Sequence, residues 1–320
     1  MIFSKIAAVG SYLPKRVMTN DELPSTLDTS DHWIRTRTGI TKRYIAEDNQ
    51  FTSDLGANAL INALSTSNIS EQELDGIIVA TTTPDLVFPS TAVKIQEKIN
   101  LLKGFAFDIQ AVCSGFIYAL CVADSMIKSG QAKKIAVIGA ETMSRILDWT
   151  DRDTCVLFGD GAGAVILEKQ ESEINNGVLD IDLFSDGRYI DLLKVDGGVS
   201  KGNLDSKMTM NGREVFKHAV TKMTYLIKNT LDKNNFSIKD LDWMILHQAN
   251  NRIIQAVREK LSIEENKAVS TVEHHANTSA ASIPLALDSY IKNEKIKRGD
   301  LIAMASIGGG MTWGSALIRY

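Results

Sequence analysis

The chain has 320 residues, of which 44% are hydrophobic and 23% are charged, a composition typical of a globular protein with one large domain or two domains of about 150 residues. Its net charge of −4 does not indicate nucleic-acid binding, and no apolar run approaches the roughly 20 residues that span a bilayer. The three cysteines, Cys113, Cys121 and Cys155, favour reduced thiols in the cytoplasm over a disulfide framework. Without a CxxC or HExxH motif, we expect no metal site.

Short apolar, β-branched runs alternate with helical patterns in the first half of the chain. The runs at 76–80, 105–109, 134–138 and 164–167 predict strands. Strands that alternate with helices are typical of an α/β fold whose sheet is buried on both faces.

The order of elements then recurs in the second half. The matching segments are 74–80 with 241–247, 108–113 with 270–277, and 159–167 with 308–318. We interpret this as a duplicated βα unit with halves 1–170 and 171–320. The duplication makes Cys113 and Asn277 equivalent helix starts, and a pseudo-twofold arrangement can bring two such positions together at a central site.

Cys113 lies between a predicted apolar strand and a predicted apolar helix. We therefore expect its thiol at the N-terminus of a buried helix, where the helix dipole and free N–H groups stabilise a thiolate. That makes Cys113 a candidate nucleophile, with a small packing thiol as the alternative. For Cys121, inside the same helix, and Cys155, on a predicted strand before a glycine loop, we expect packing roles.

Two further polar clusters adjoin predicted helices. His247 ends an apolar strand, which is where α/β proteins place their chemistry, although His247 or Asn250 could simply cap the next helix. Asn277 precedes an alanine-rich helix and could likewise be a cap. His274 and His275 are adjacent, so on an extended segment they face opposite ways, and we expect surface or supporting roles for them.

The glycine-rich loops have different neighbours. The loop at 159–163 leads into a strand, so it is not a dinucleotide fingerprint. The glycines at 308–310 allow a close backbone approach, and their N–H groups could form an oxyanion hole or a simple tight turn. Near the N-terminus, Trp33 stands close to Arg35 and Arg37. This arrangement suits stacking on a base and pairing with phosphates, but a solvated basic loop has the same pattern.

Four motifs in this order resemble β-ketoacyl-acyl-carrier-protein synthase III, the initiating condensing enzyme of bacterial fatty-acid synthesis. They are AVCSGF at 111–116, HQAN at 247–250, NTSAAS at 277–282 and GGGMTWG at 308–314. The resemblance runs from residue 10 to the C-terminus. It implies the thiolase fold, in which two duplicated βαβαβ halves form α-β-α-β-α layers.

The resemblance also implies a role for each matching residue. Cys113 would take an acyl group from a short acyl-CoA, with acetyl-CoA expected first. His247 and Asn277 would stabilise the enolate formed when malonyl-acyl carrier protein loses CO₂, and the N–H groups of Cys113 and Gly309 would form the oxyanion hole. Phe88 would reach across a homodimer interface to bound the acyl pocket. The residues that would bind CoA are Trp33, Arg37, Thr38, Arg152, Phe216, Ala219 and Asn250. The basic residues that would meet the carrier protein are Lys217, Arg252, Arg258 and Lys260. No metal or cofactor is implied.

The chain departs from the family pattern at two positions and leaves one close alternative. Ala276 stands where the family usually has Gly, and Met311 replaces a common Phe. The alternative is a related acyltransferase of secondary metabolism that uses another acyl donor or acceptor.

Other enzyme classes fit less well. Thiolases use a second Cys in the C-terminal glycine loop, which 306–310 lacks. Elongating synthases use Cys-His-His, whereas the third residue here is Asn277, with His275 two residues away. The chain lacks the signature of a papain-type hydrolase around Cys113, and a non-catalytic carrier-protein-binding module would need no nucleophile.

Overall fold

The structure, a computed structural model, describes residues 2–171 and 176–320. The strands in these residues are β1 (Ile2–Tyr12), β2 (Arg16–Thr19), β3 (Lys42–Ile45), β4 (Gly76–Ala80), β5 (Phe105–Ile109), β6 (Lys134–Glu141), β7 (Gly161–Glu171), β8 (Gly177–Ser185), β9 (Leu193–Val195), β10 (Met208–Met210), β11 (Trp243–Leu246), β12 (Leu301–Gly308) and β13 (Thr312–Arg319). The α-helices are α1 (Asp31–Thr38), α2 (Thr52–Ser65), α3 (Thr91–Lys98), α4 (Gly115–Lys128), α5 (Arg152–Cys155), α6 (Gly212–Lys233), α7 (Asn251–Leu261), α8 (Val272–His275) and α9 (Ser282–Lys292).

The two main sheets have the same strand arrangement. The first has the order β1-β7-β6-β4-β5, in which β4 runs parallel to β5 and β6 while the other pairs are antiparallel. The second has the order β8-β13-β12-β11, in which β11 and β12 are parallel and the other pairs antiparallel. A parallel bridge between Met244 and Ala268 stands where a fifth strand would lie. The predicted duplication is confirmed by this shared topology.

Helices and sheets stack in five layers. The helices α4 and α9 pack between the sheets, α2 and α3 cover the outer face of the first sheet, and α6 and α7 cover the outer face of the second. Each sheet is therefore buried on both faces, which explains continuous apolar runs such as β4, whose five residues are all buried. The predicted α-β-α-β-α arrangement is confirmed.

The two halves correspond, but not through Cys113 and Asn277. Val112 and Ser279 both have φ near +49°, and each begins a 3₁₀ turn that leads directly into α4 or α9. Ala280, not Asn277, is therefore the residue of the second half that corresponds in position to Cys113. The predicted equivalence is wrong because the second half has three more residues between its polar residue and its helix: α4 begins at Gly115, two residues after Cys113, and α9 begins five residues after Asn277.

Three local predictions are also wrong. Cys155 ends the short helix α5 rather than lying on a strand. His274 and His275 lie in helix α8 rather than on an extended segment. Trp33 and its arginine neighbours lie on helix α1, which Ser30 caps through the N–H of Trp33, and not on a loop.

The expected division into halves 1–170 and 171–320 falls at the last two residues of β7 and stays a prediction. Among the helices that the structure describes, none is long and apolar enough to cross a membrane. Over the same residues, no three His, Cys, Asp or Glu side chains are grouped so that they could hold a metal ion.

Candidate active site

A pocket of about 960 Å³ contains the three side chains Cys113, His247 and Asn277. They come from three distant parts of the chain: the turn before α4, the end of β11 and the segment before α9. The pocket is also lined by every residue expected to bind CoA, namely Trp33, Arg37, Thr38, Arg152, Phe216, Ala219 and Asn250. The structure therefore brings the predicted catalytic and CoA-binding residues into one cavity.

Cys113 is held by the backbone around it. The Ser306 hydroxyl donates a hydrogen bond to the Cys113 carbonyl at 2.6 Å. A Cβ added at Gly308 would lie 2.7 Å from the Cys113 backbone nitrogen, so the glycine loop packs directly against the backbone of Cys113. Gly309 comes next in this loop, but it does not line the pocket. An oxyanion hole from the N–H groups of Cys113 and Gly309 stays a prediction.

The side chain of Cys113 is buried, and burial disfavours the charged form of a thiol. Burial raises its pKa to about 12, with a further rise caused by the charge of Glu141, while a hydrogen bond with the Ser279 side chain lowers it. Cys113 lies in a 3₁₀ turn ahead of α4, where its desolvation opposes the thiolate that a helix terminus would stabilise. The stabilised thiolate stays a prediction. The thiol must lose its proton during the reaction.

His247 is fixed at the end of β11. Its backbone N–H donates to the Ala305 carbonyl at 2.9 Å, and its ring Nδ1 lies 2.7 Å from the Ser282 hydroxyl. Burial lowers its pKa to about 3, so the imidazole is neutral near pH 7. A neutral imidazole bonded at Nδ1 keeps Nε2 for a ligand in the pocket.

Asn277 is oriented by three hydrogen bonds. Its N–H donates to the Leu157 carbonyl at 2.9 Å, and its own carbonyl accepts from the Gly159 N–H at 3.0 Å. Its Oδ1 accepts the N–H of Ser279 at 2.9 Å. The bond to Oδ1 fixes the orientation of the side-chain amide. Its Nδ2 group is then the part of Asn277 that can donate to a substrate oxygen.

An aromatic ring and a guanidinium face each other in the pocket wall. The Arg152 guanidinium lies 4.9 Å from the centre of the Trp33 ring. Nearby, Asn250 caps α7 by accepting the N–H of Arg252 at 2.8 Å and donates to the Arg37 carbonyl at 3.2 Å. The capping role considered for Asn250 is therefore real and coexists with its place in the pocket.

The four basic residues expected to meet the carrier protein lie at different distances from the pocket. Lys217 and Arg252 line the pocket. Arg258 does not: its guanidinium donates to the Gln255 side chain at 2.7 Å and to the Ile263 carbonyl at 3.3 Å, which commits it to its own helix. Lys260 is exposed on α7, outside the pocket lining.

Phe88, His274 and His275 also lie away from the pocket lining. Phe88 is 82% exposed on the segment between β4 and α3. His274 is exposed, and His275 is largely buried, where desolvation lowers its pKa to about 4.

The two departures from the family pattern have different effects. Ala276 is buried with φ +57° and ψ −163°, a backbone conformation that glycine adopts readily and alanine does not. Met311 is buried in the core beside α6 and α7, and its N–H donates to the Asp186 carbonyl at 3.1 Å. Neither change removes a polar group from the pocket.

Sequence reasoning missed three residues that support the catalytic side chains. Ser279 and Ser282 lie within the motif at 277–282, where they flank two alanines, and their polar character there was a usable signal. Glu141 ends β6, at the same sheet edge where Cys113 follows β5, and a carboxylate at the carboxyl end of a parallel strand is a further signal.

Comparisons with known proteins point to one family. Residues 107–187 match the model of 3-oxoacyl-[acyl-carrier-protein] synthase III, and residues 231–320 match the model of its C-terminal part. A β-ketoacyl-[acyl-carrier-protein] synthase III of Wolbachia pipientis is 54% identical over 318 residues, which is 99% of each chain.

Solved structures agree with this result. The crystal structure of 3-oxoacyl-[acyl-carrier-protein] synthase III from Aquifex aeolicus has a TM-score of 0.93 and 47% identity, over 99% of this chain and 100% of that one. The priming β-ketosynthase of the R1128 polyketide pathway also superimposes, with a TM-score of 0.93 over 99% and 96% of the two chains, but is 30% identical. The alternative in secondary metabolism is therefore not favoured, and the chain belongs to the 3-oxoacyl-[acyl-carrier-protein] synthase III family.

Proposed function

We propose that Cys113, His247 and Asn277 are the catalytic residues of this synthase and that its acyl donor is a short acyl-CoA, with acetyl-CoA the first candidate. The reaction, condensation of an acyl-CoA with malonyl-acyl carrier protein at the start of fatty-acid synthesis, follows from the family to which the chain belongs. The observation that supports the residue assignment is that these three side chains share one pocket.

In the first half-reaction, Cys113 attacks the thioester carbonyl of the acyl-CoA. The Sγ–C bond forms, the C–S bond to CoA breaks, and the acyl group remains on the protein. The glycine loop that packs against the Cys113 backbone suits an oxyanion hole built from the N–H groups of Cys113 and Gly309.

In the second half-reaction, malonyl-acyl carrier protein loses CO₂ in the same pocket. Negative charge then develops on the oxygen of its thioester. The neutral His247 donates from Nε2 and Asn277 donates from Nδ2, and the two hydrogen bonds stabilise this enolate. Its carbon attacks the acyl-Cys113 carbonyl, which gives the β-ketoacyl product and a free Cys113.

The rest of the pocket suits a nucleotide-bearing donor and an acidic carrier. Trp33 and Arg152 offer an aromatic face and a cation to the adenine and phosphate end of CoA, with Arg37 nearby. The residues where we place the pantetheine arm also line the pocket, namely Thr38, Phe216, Ala219 and Asn250. Lys217, Arg252, Arg258 and Lys260 form the expected carrier-protein patch, with Lys217 and Arg252 nearest the pocket.

A homodimer is part of the proposal. Strand β5 is an edge strand of the first sheet, its residues are half-buried, and Phe105 stacks on Phe107 with ring centres 5.9 Å apart. An edge strand with an apolar face invites pairing with a second copy. The exposed Phe88 would then reach the partner's acyl pocket.

We place the reaction in the cytoplasm and expect it to need no cofactor. The three cysteines are free thiols, which suits a reducing compartment. The acyl group arrives activated as a thioester, and loss of CO₂ generates the carbon nucleophile, so the chemistry itself requires no redox group.

The acyl-Cys113 intermediate can be tested by intact-mass measurement. After incubation with acetyl-CoA we expect a mass increase of one acetyl group, which Cys113→Ser abolishes and the matched control Cys121→Ser retains. If a panel of short acyl-CoA donors leaves the parent protein unmodified, the proposed function is wrong.

Asn277→Ala separates the two half-reactions. We expect acylation of Cys113 at the parental rate, with condensation reduced on the order of 100-fold because one oxyanion donor is lost. Equal loss of both steps would contradict the assigned role.

Product formation by the parent protein with malonyl-acyl carrier protein but not with malonyl-CoA would identify the acceptor.

A further inference from the structure

Arg43, on strand β3, has a fully buried side chain. Its Nη2 group donates to the Asn20 side-chain oxygen at 2.7 Å and to the Val156 carbonyl at 3.2 Å, and both of these acceptors are neutral. Burial lowers the pKa of Arg43 to about 10, so its guanidinium is still a cation near pH 7. A buried cation that is bonded to neutral groups costs folding free energy, which points to a role other than stability.

The segment that Arg43 contacts is the one that holds Asn277. We call residues 156–160 the supporting segment. Phe158 and Asn277 form a parallel β-bridge within it, in which the Asn277 N–H donates to the Leu157 carbonyl and the Gly159 N–H donates to the Asn277 carbonyl. The backbone position of Asn277 therefore depends on where the supporting segment lies.

Strand β3 fixes the supporting segment at both of its ends. At the first end, the Val156 carbonyl accepts the bond from Arg43. At the other end, the Asp160 N–H donates to the Tyr44 carbonyl at 2.9 Å. Between these bonds, a Cβ added at Gly159 would lie 3.1 Å from Cβ of Arg43, so the segment packs closely against β3. The Arg43 side chain thus supplies the bond at the end of the segment that comes first in the chain.

We propose that Arg43 is a positioning residue for the condensation half-reaction: its bond to the Val156 carbonyl fixes the supporting segment, and the segment fixes Asn277. The inference rests on the proposed role of Asn277 as a donor to the enolate oxygen. Such a donor must be placed accurately, because a displacement of about 1 Å can cost on the order of 100-fold in rate.

Cys113 is held by different contacts, so acylation should not depend on Arg43. The Ser306 hydroxyl donates to the Cys113 carbonyl, and Gly308 packs against the Cys113 nitrogen. Both of these residues belong to strand β12, and neither contact involves β3 or the supporting segment. A change at Arg43 should therefore affect the second half-reaction and spare the first.

The first test measures the two half-reactions separately in single-turnover experiments with saturating acetyl-CoA. Arg43→Met keeps an unbranched side chain but removes the donor. We expect it to slow condensation from preformed acyl-enzyme about tenfold and to leave the acylation rate within about twofold of the parent. Parental condensation in Arg43→Met, or an equal loss in both steps, would overturn the proposal.

A double-mutant cycle tests whether the effect passes through Asn277. If it does, Arg43→Met should slow condensation by less than about twofold in an Asn277→Ala background, because the group that it positions is already gone. A further tenfold loss in that background would show a general structural effect and overturn the proposal. Parental condensation in Asn277→Ala alone would instead refute the proposed role of Asn277.

A second substitution at the same position covers the case in which Arg43→Met does not fold. Arg43→Lys keeps a cation, but its nitrogen ends one bond short of Nη2 and does not reach the Val156 carbonyl. We expect the same selective loss of condensation from this variant, and parental condensation would overturn the proposal.

The matched control is Arg298→Met. The Arg298 guanidinium likewise donates to main-chain carbonyls, those of Ile6 at 2.6 Å and Ala7 at 3.3 Å, and it lies outside the active-site pocket lining. Both half-reactions should run at the parental rate in this variant. A selective loss of condensation in Arg298→Met as well would show that the effect is not specific to Arg43 and would overturn the proposal.

Discussion

The Ser282 hydroxyl lies 2.7 Å from Nδ1 of His247 and accepts the Gln248 N–H at 3.3 Å. With one lone pair engaged by that N–H, the hydroxyl hydrogen is available for Nδ1, which makes Nδ1 an acceptor and puts the imidazole proton on Nε2. That is the tautomer that can donate to a substrate oxygen. Ser282 therefore positions the proton of His247 without lining the pocket itself.

Replacement of this serine should affect condensation selectively. We expect Ser282→Ala to slow condensation from preformed acyl-enzyme about tenfold, which corresponds to one hydrogen bond worth roughly 1.4 kcal/mol, and to leave acylation unchanged. Ser289→Ala, further along the same helix α9, is the control. Stopped-flow or quenched single-turnover rates measure both steps, and a Ser282→Ala variant with parental condensation would contradict this role.

The strained backbone at Ala276 predicts a stabilising substitution. Its φ of +57° with ψ of −163° costs alanine on the order of 1 kcal/mol or more, whereas glycine adopts it freely. We expect Ala276→Gly to raise the free energy of unfolding by about 1 kcal/mol, measured by denaturant titration. Ala281→Gly, at a position with ordinary helical angles, should be destabilising, and a destabilised Ala276→Gly would show that the strain is absent.

The Trp33–Arg152 pair should contribute to donor binding and not to chemistry. We expect Arg152→Ala to raise KM for acetyl-CoA about tenfold, the loss of roughly 1.4 kcal/mol of cation–π and charge interactions, with kcat nearly unchanged. An acetyl thioester that ends at the pantetheine should show no such change, because it lacks the nucleotide. If both donors are affected equally, the nucleotide does not lie at this pair.

Acid stability should depend on His247. Burial lowers its pKa to about 3, whereas an imidazole in the unfolded chain titrates near 6.5. Between these values the unfolded chain binds a proton that the folded protein does not, so the free energy of unfolding falls as pH falls, by up to about 1.4 kcal/mol per pH unit.

The measurement compares denaturant titrations near pH 7 and pH 5.5. We expect the parent protein to lose more stability over this range than His247→Gln, while the exposed His274→Gln behaves like the parent. His275, whose pKa burial also lowers, contributes to the loss that remains. Equal losses in the parent and His247→Gln would show that the folded imidazole titrates normally.

Short apolar runs predicted four of the five strands of the first sheet and missed the edge strand β1. The strands at 76–80 and 105–109 have the predicted bounds, because short, mainly apolar runs between polar turns leave little freedom in where a strand begins and ends. Strand β6 continues beyond the predicted 134–138 to Glu141. Glu141 stays buried at that end because five neutral groups donate to its carboxylate, namely the hydroxyls of Thr81, Thr82, Thr83 and Ser279 and the Thr82 N–H.

The sequence predicted which residues line the pocket but not how far each of them is removed from solvent. The motif order led to Cys113, His247 and Asn277, and all three line the pocket. The extent of desolvation at Cys113 could not be predicted, since helix position can be read from sequence but desolvation depends on how β12, the glycine loop and Ser279 close around the thiol. The short helices α5 and α8 were missed because four residues carry too little periodicity to identify a helix.

The paired turns at Val112 and Ser279 give the two halves equivalent positions with different residues. The second residue of the turn is Cys113 in the first half and Ala280 in the second, and the alanine side chain has no nucleophilic group. The first residue of the second turn, Ser279, connects the two halves: its hydroxyl donates to Glu141 of the first half, and its N–H donates to Asn277 of the second. The symmetric frame therefore holds an asymmetric centre: one turn carries the candidate nucleophile Cys113, and the other supplies a side chain that connects the two halves.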